Sequence, residues 1–275
     1  MKPTNKKSFL FLGSASLAAL VFSGAGSYAA TLASDNASDA AYQPVFSDWA
    51  SGDNGGFGFN AWSGLTDIYV GSSAANGDGS NGGATNIDTT GPNNGTGESW
   101  ALRGNGATNG NGEGFRTLIG NLSVGQSIQL AFDNGFIAGG SVGFAFRSGG
   151  TARFEYYYQP NVANNYKVDG SAIQTTTQGF TDDGMLTTFT LTGADTYSFS
   201  VDFLGSSTTD QNFTGTLKGT AGTGIDTIRL FNFATNGDPS GNSFYNSVSV
   251  VPEPSSLGLA VMGALGVMGI RRRRS

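Results

Sequence analysis

The chain has 275 residues, among them 44 glycines, and neither cysteine nor histidine. Structural disulfides and thiol chemistry are excluded, and with histidine go the usual general base and the usual zinc ligand. The formal charge of −6 hides an asymmetry, because seven basic residues face nineteen acidic ones between Ala30 and Val250, a net of about −12. Such a field repels nucleic acid rather than recruiting it, so no nucleic-acid partner is expected.

The chain opens with Lys2, Lys6 and Lys7, then an apolar run from Phe9 to Phe22 broken only by small residues. Ser27-Tyr28-Ala29 sets small side chains three and one residues before a cut after Ala29, so residues 1–29 read as a secretory signal peptide. Sec-type export machinery is the first expected partner. Ala30 to Ala41 reads as a mobile lead-in. A first folded piece follows over residues 42–70, with Val45, Phe46, Trp49, Phe57, Phe59, Trp62, Ile68, Tyr69 and Val70 available for burial. These residues are expected to add edge or outer strands.

Between Asn76 and Gly112, 19 of 37 residues are Gly or Asn, too many for the tract to form a core of its own. It is expected to be a long surface loop, or loops around one short strand at Ser99 to Arg103. From Glu113 the pattern alternates: Ile128, Leu130 and Phe132; Val142, Phe144 and Phe146; Phe154, Tyr156 and Tyr158; Tyr197, Phe199, Val201 and Phe203. A period of two over many segments describes strands with one face buried and one wet. Turn formers split them at Asp133-Asn134-Gly135, Asp169-Gly170, Asp182-Asp183-Gly184 and Gly193-Ala194-Asp195. With no amphipathic helix between strands, the fold class is all-β: an antiparallel two-sheet sandwich, jelly-roll or lectin-like, over residues 30–250. On the strand carrying Tyr156-Tyr157-Tyr158, Tyr157 must face away from its neighbours, into solvent or a ligand-binding face.

The last 25 residues carry the strongest motif. Val251-Pro252-Glu253-Pro254 precedes an apolar segment from Leu257 to Ile270, and Arg271, Arg272, Arg273 and Arg274 close it before Ser275. The prolines halt the preceding strand. Fourteen residues of helix span about 21 Å, short for a bilayer crossing, and arginines reaching the headgroups offset part of the mismatch. This order resembles the PEP-CTERM sorting domain of exported proteins of Gram-negative bacteria. The resemblance implies that Pro252, Glu253 and Pro254 are the element recognised by a membrane-embedded exosortase, and that Arg271 to Arg274 hold the end on the cytoplasmic side. Residues 251–275 are then a sorting and transmembrane tail. It anchors the chain transiently before release to the cell surface or medium.

The body is similar to the globular region of one branch of these proteins, through Gly114-Phe115-Arg116-Thr117-Leu118, Phe132-Asp133-Asn134-Gly135, Gly140-Ser141-Val142-Gly143-Phe144, Gly224-Ile225-Asp226 and Phe244-Tyr245-Asn246-Ser247-Val248. That resemblance implies a place at the cell surface or in an exopolysaccharide matrix.

Little in the sequence supports catalysis. A serine triad lacks its base, and a Ser–Lys pair would need Lys167 or Lys218, neither in a Ser-x-x-Lys string. Phosphate-binding glycine fingerprints are absent. Glycoside cleavage needs paired carboxylates, and the body offers only Glu98, Glu113 and Glu155 as glutamates, Glu155 being the suggestive one. Asp133-Asn134, Asp182-Asp183 and Asp78 could ligate calcium, although Asx-turns explain them as well. No catalytic residue, cofactor or metal ligand is therefore assigned. The expected function is a non-catalytic exported protein of the cell surface or extracellular matrix. The alternative is a lectin-like module for exopolysaccharide, with Tyr157, Trp100 and Trp62 as stacking faces; a polysaccharide-active enzyme comes third.

Overall fold

The computed structural model describes residues 31–43, 49–73, 86–90, 97–104, 111–160, 164–205, 209–237 and 240–252. The leader, Asp78, and the tail from Glu253, with its expected helix and arginine cluster, lie outside the described residues.

Sixteen strands follow in chain order: β1 (Ala33–Asp35), β2 (Phe59–Thr66), β3 (Ile68–Gly71), β4 (Thr89–Thr90), β5 (Gly97–Leu102), β6 (Gly112–Leu118), β7 (Gln126–Asn134) and β8 (Val142–Ser148). The second half holds β9 (Thr151–Tyr158), β10 (Asn165–Asp169), β11 (Ile173–Gly179), β12 (Met185–Gly193), β13 (Thr196–Phe203), β14 (Gln211–Thr216), β15 (Thr227–Asn232) and β16 (Ser243–Pro252). The first sheet has the order β14-β13-β12-β7-β16-β5-β3, with β1 paired to β16 and β4 to β5. The second has the order β11-β10-β9-β8-β15-β6-β2. Neighbours are antiparallel throughout the described residues, so the protein is an all-β two-sheet sandwich.

Alternation explains the core. Ile128, Leu130 and Phe132 of β7, Phe189 and Leu191 of β12 and Phe199 and Val201 of β13 meet Phe144 and Phe146 of β8 and Phe154 and Tyr156 of β9 in one apolar cluster. Phe132 stacks on Tyr245 with ring centres 5.3 Å apart, and Phe146 meets Phe189 at 4.9 Å. The edge strands β14 and β11 are rich in Gln and Thr, which suits positions with one unpaired ladder edge. Strands β2 and β3, from residues 42–70, stand at sheet edges, as expected.

Two local expectations are corrected, and of the two readings of the Gly/Asn tract the one with a short strand is found. The lead-in is built structure: β1 pairs with β16, and a 3-10 turn over Ala40–Tyr42, capped by the Asp39 carboxylate, buries Tyr42. Within the Gly/Asn tract, β5 is an interior strand between β16 and β3, and it buries Trp100, Ala101 and Leu102. Its neighbours supply the core that the tract lacks. Asp133 and Asn134 continue the ladder of β7, because β16 keeps register with them through Phe244 and Ser243. Adjacent turn-forming residues do not break a strand whose partner is already in place.

A buried ion pair fastens the amino-terminal segment to the second sheet. The Arg116 guanidinium donates from Nη2 to Asp35 Oδ2 at 2.6 Å and to the Gly55 carbonyl at 2.9 Å. Tyr42 donates its hydroxyl to the same Asp35 oxygen at 2.6 Å and accepts from Trp62 Nε1 at 3.1 Å. Burial pushes the Asp35 carboxyl up to about 6, against the lowering effects of Tyr42 and Arg116.

Asn246 plays the matching part in the first sheet. Along one side of β16 the partner changes from β5, which reaches Tyr245, to β1, which begins opposite Val248. The fully buried Asn246 side chain fills that gap. Its Oδ1 accepts from Ala37 N at 3.0 Å and Ser247 N at 2.8 Å, and its Nδ2 donates to Ile87 O at 2.9 Å, Glu98 O at 2.7 Å and Thr89 Oγ1 at 3.1 Å. Asn246→Leu keeps the volume but strands the Ala37 N–H and two carbonyls. Unfolding in urea should show a loss of about 3–5 kcal/mol, since each buried group left unpaired costs about 1–3 kcal/mol. A loss below about 1 kcal/mol would show that the gap relaxes without it.

Candidate functional site

The outward face of the second sheet collects the charged and aromatic residues that the core rejects. Strand β8 contributes almost no bulk there: Val142, Phe144 and Phe146 point inward, which leaves Gly143 and Ala145 outward. A side chain at Gly143 is prohibited by the close approach of β9, since a Cβ would lie 2.1 Å from the Tyr156 carbonyl oxygen. On one side, β9 presents Tyr157 opposite Gly143 and Glu155 opposite Ala145. On the other, β15 presents Phe231 opposite Gly143 and Arg229 opposite Ala145. Two bulky walls over a strand with no bulk make a trough. The resulting cleft of about 220 Å³ is lined by Ser141, Glu155, Tyr157, Gln159, Asp169, Arg229, Phe231 and Phe233.

Its charges are fixed in pairs. Lys218 bridges Glu155 and Asp169, with Nζ 2.7 Å from the Asp169 carboxylate. Burial alone would lower the Lys218 amine, but hydrogen bonds and attraction from Asp169 and Glu155 outweigh it and hold the amine above its ordinary range. Arg229 is tied to Glu113, with Nε 2.8 Å from Oε1, and its guanidinium lies 5.2 and 5.1 Å from the Phe231 and Phe233 ring centres. Those two rings stack at 5.3 Å. The Tyr157 hydroxyl has its ionisation pushed up by burial and by the negative charge of Asp169 and Glu155, so it stays a neutral donor.

The outcome for the residues singled out in the sequence is mixed. Tyr157 and Glu155 lie together in the cleft. Trp62 and Trp100 do not join them, which corrects their candidacy as sugar-stacking faces: both are buried, with ring centres 5.1 Å apart, in a cluster with Trp49 and Tyr42. Glu98 is buried and accepts from Gln43 Nε2 at 2.7 Å, its carboxyl raised by burial. Asp133 and Asn134 are buried at the end of β7, where Asn134 accepts the Tyr166 hydroxyl at 3.0 Å. Asp183 is engaged with Thr181 in a local turn. Among the described residues no three acidic side chains gather as a metal site would require. Sequence reasoning missed Arg229, Phe231, Phe233 and Asp169 as members of one site. Alternation in Thr227–Asn232 carried a partial signal, because Ile228 and Leu230 claim the inward face and leave Arg229 and Phe231 outside.

The fold and this open face define an all-β sandwich with a polar and aromatic trough on one sheet. Residues 250–274 match the PEP-CTERM protein-sorting motif, so the chain carries that sorting signal, beginning within the last strand. No curated protein matches the chain. Among solved structures, one from work on endo-acting O-glycanases of human gut microbiota is similar over 82% of this chain and all of that one, at 13% identity and a TM-score of 0.47. A glycosyl hydrolase family protein from Mycobacterium fortuitum is similar over 55% of this chain and 74% of that one, at 11% identity and a TM-score of 0.40. The botulinum neurotoxin serotype D binding domain is similar over 72% and 47%, at 9% identity and a TM-score of 0.38.

The Lys218 bridge makes a pH prediction. A lysine raised in the fold stabilises fully below its unfolded value of about 10.4 and loses that contribution as pH rises through the folded value. Lys218→Met should lower stability at pH 7 by about 1–2 kcal/mol, between the exposed and buried limits for ion pairs. The gap between wild type and variant, read from urea midpoints, should close as the pH rises through the raised folded value of the lysine. A gap that stays constant would assign the loss to packing of the lysine stem.

Proposed function

We propose that this chain is a non-catalytic exported protein, sorted through its PEP-CTERM tail, that displays the sandwich at the cell surface or in the extracellular matrix. The carrying observation is the position of the motif. It begins at residue 250 while β16 runs to Pro252, so the sorting signal continues directly from the strand paired to β7. Leader removal after Ala29 and tail removal near Pro254 are the expected processing steps, with Sec-type export machinery and an exosortase as partners. In a host with that machinery, intact-mass measurement of the extracellular product should give a chain from Ala30 to about Pro254. Pro252→Ala with Pro254→Ala should leave the product cell-associated with Arg271 to Arg274 still present. Release of an unprocessed chain would refute this sorting route.

The carboxylates support the absence of catalysis. In the trough Glu155 and Asp169 share Lys218 and Glu113 holds Arg229, so these carboxylates are engaged as ion-pair partners, which favours the non-catalytic reading of this face.

A second reading of the same surface is favoured by the trough: a carbohydrate-binding module. Sugars need an apolar face for ring stacking and fixed polar groups for hydroxyls. Tyr157 and Phe233 offer the first, with the buried Phe231 ring backing Phe233, and Ser141, Gln159, Glu155, Asp169 and Arg229 the second. Calorimetric titration with the exporting host's exopolysaccharide, with and without calcium, should show saturable binding. Tyr157→Ala should weaken it about tenfold, the worth of one aromatic contact of about 1.4 kcal/mol. Equal binding by the variant would remove the trough from consideration.

A further inference from the structure

The two ends of the sandwich differ, and one is built to meet a lipid surface. Strands β1 and β16 are antiparallel neighbours, with Ala33 opposite Val250 and the Leu32 N–H donating to the Val250 carbonyl at 2.8 Å. Continuing that register sets Thr31 opposite Pro252. The chain therefore enters β1 and leaves β16 side by side, at the end where Gln126 opens β7 opposite Pro252. Seven large apolar residues are exposed among the described residues, and four flank this exit: Ile119 at 70%, Val124 at 58%, Phe57 at 54% and Leu32 at 45%. Ile119 donates its N–H to the Gly58 carbonyl at 3.4 Å, next to Phe57. Leu32, Ile119, Gln126 and Val250 line one cleft of about 250 Å³ whose lining includes no charged residue.

The lack of charge is the second observation. From Thr117 to Phe132 the chain has no Asp, Glu, Lys or Arg, although acidic residues dominate the body. An acidic surface is repelled by anionic headgroups, so an uncharged apolar lip is the part of this molecule that can approach them. Exposed apolar patches on an otherwise polar surface mark contact sites, and a membrane is the partner that the adjoining chain supplies. Four residues separate Pro252 from the apolar run Leu257–Ile270, and an extended link across those five steps reaches only about 17 Å.

We propose that this lip, formed by Leu32, Phe57, Ile119 and Val124, docks on the bilayer while the tail is inserted, and holds the Pro-Glu-Pro element at the headgroup level. The proposal rests on the reading of residues 257–270 as a membrane anchor. Docking fixes the orientation of the sandwich, with the exit of β16 against the lipid and the start of the β7–β8 connection, at Phe136, pointing away.

The chain has no cysteine, so one introduced thiol labels one site. Full-length variants Ile119→Cys, Val124→Cys, Phe136→Cys and Ala260→Cys would each carry a polarity-sensitive fluorophore. They would be reconstituted into vesicles of phosphatidylethanolamine and phosphatidylglycerol, with thermal melting used to confirm the fold. Labels at 119, 124 and 260 should shift to the blue and be quenched by brominated lipid, and the label at 136 should do neither. An inserted label at 260 with 119 and 124 in water would overturn the docking proposal and leave the anchor. A label at 260 in water would overturn the anchor reading and the proposal with it. Lipid contact at 136 equal to that at 119 would show no preferred end and would also overturn it.

Discussion

Asn246 is the point on which the first sheet depends. Strand β16 pairs with β7 on either side of a register shift between Asn246 and Ser249, while its other side serves β5 and then β1. Between those partners the backbone irregularity at Asn246 and Ser247, the latter with φ of 50°, would leave donors and acceptors buried without mates. One amide side chain reaches five groups there, its oxygen accepting two N–H groups and its two hydrogens shared among three acceptors. An apolar side chain could fill the space but not the hydrogen bonds, and buried polar groups are costly only when unpaired. Through that residue the amino-terminal segment, β4, β5 and the last strand become one unit.

The buried pair of Arg116 and Asp35 does comparable work at the sandwich edge, on different terms. Desolvation outweighs the attraction of Arg116 and the hydrogen bond from Tyr42, which is why the Asp35 carboxyl is raised rather than lowered. Its value lies in position: Asp35 of β1 and the Gly55 carbonyl converge on one guanidinium carried by β6, and the Tyr42 hydroxyl ties Asp35 to the Gly55 N–H. Phe59 and Trp62 flank that guanidinium at 5.3 Å each. The amino-terminal described segment is thus held by both sheets.

These two fixtures also set the external geometry. Because β1 and β16 are paired, the entry and exit of the sandwich share one end, and the trough lies on a sheet face instead of at that end. The end that carries the entry and exit of the chain is thus separate from the face that carries the trough.

The sequence by itself determined the all-β class, the sorting tail and the exclusion of thiol and histidine chemistry. These rest on local quantities: period-two alternation such as Tyr197, Phe199, Val201 and Phe203, a contiguous motif from Val251, and residue types that are simply missing. Tyr157 was legible as an outward residue because its neighbours in the alternation, Tyr156 and Tyr158, claim the core. Trp62 and Trp100 were misjudged because a tryptophan in a polar context looks exposed until another strand covers it. Only tertiary structure decided that the third tryptophan, Trp49, and Tyr42 close over them. The trough was likewise invisible, since Glu155, Asp169 and Arg229 are separated by tens of residues, and only antiparallel register sets them on one face. Strand β1 escaped for the same reason: three residues of Ala, Ser and Asp have little strand preference, and their conformation is imposed by the exposed ladder of β16 and by a cation 81 residues away in the chain.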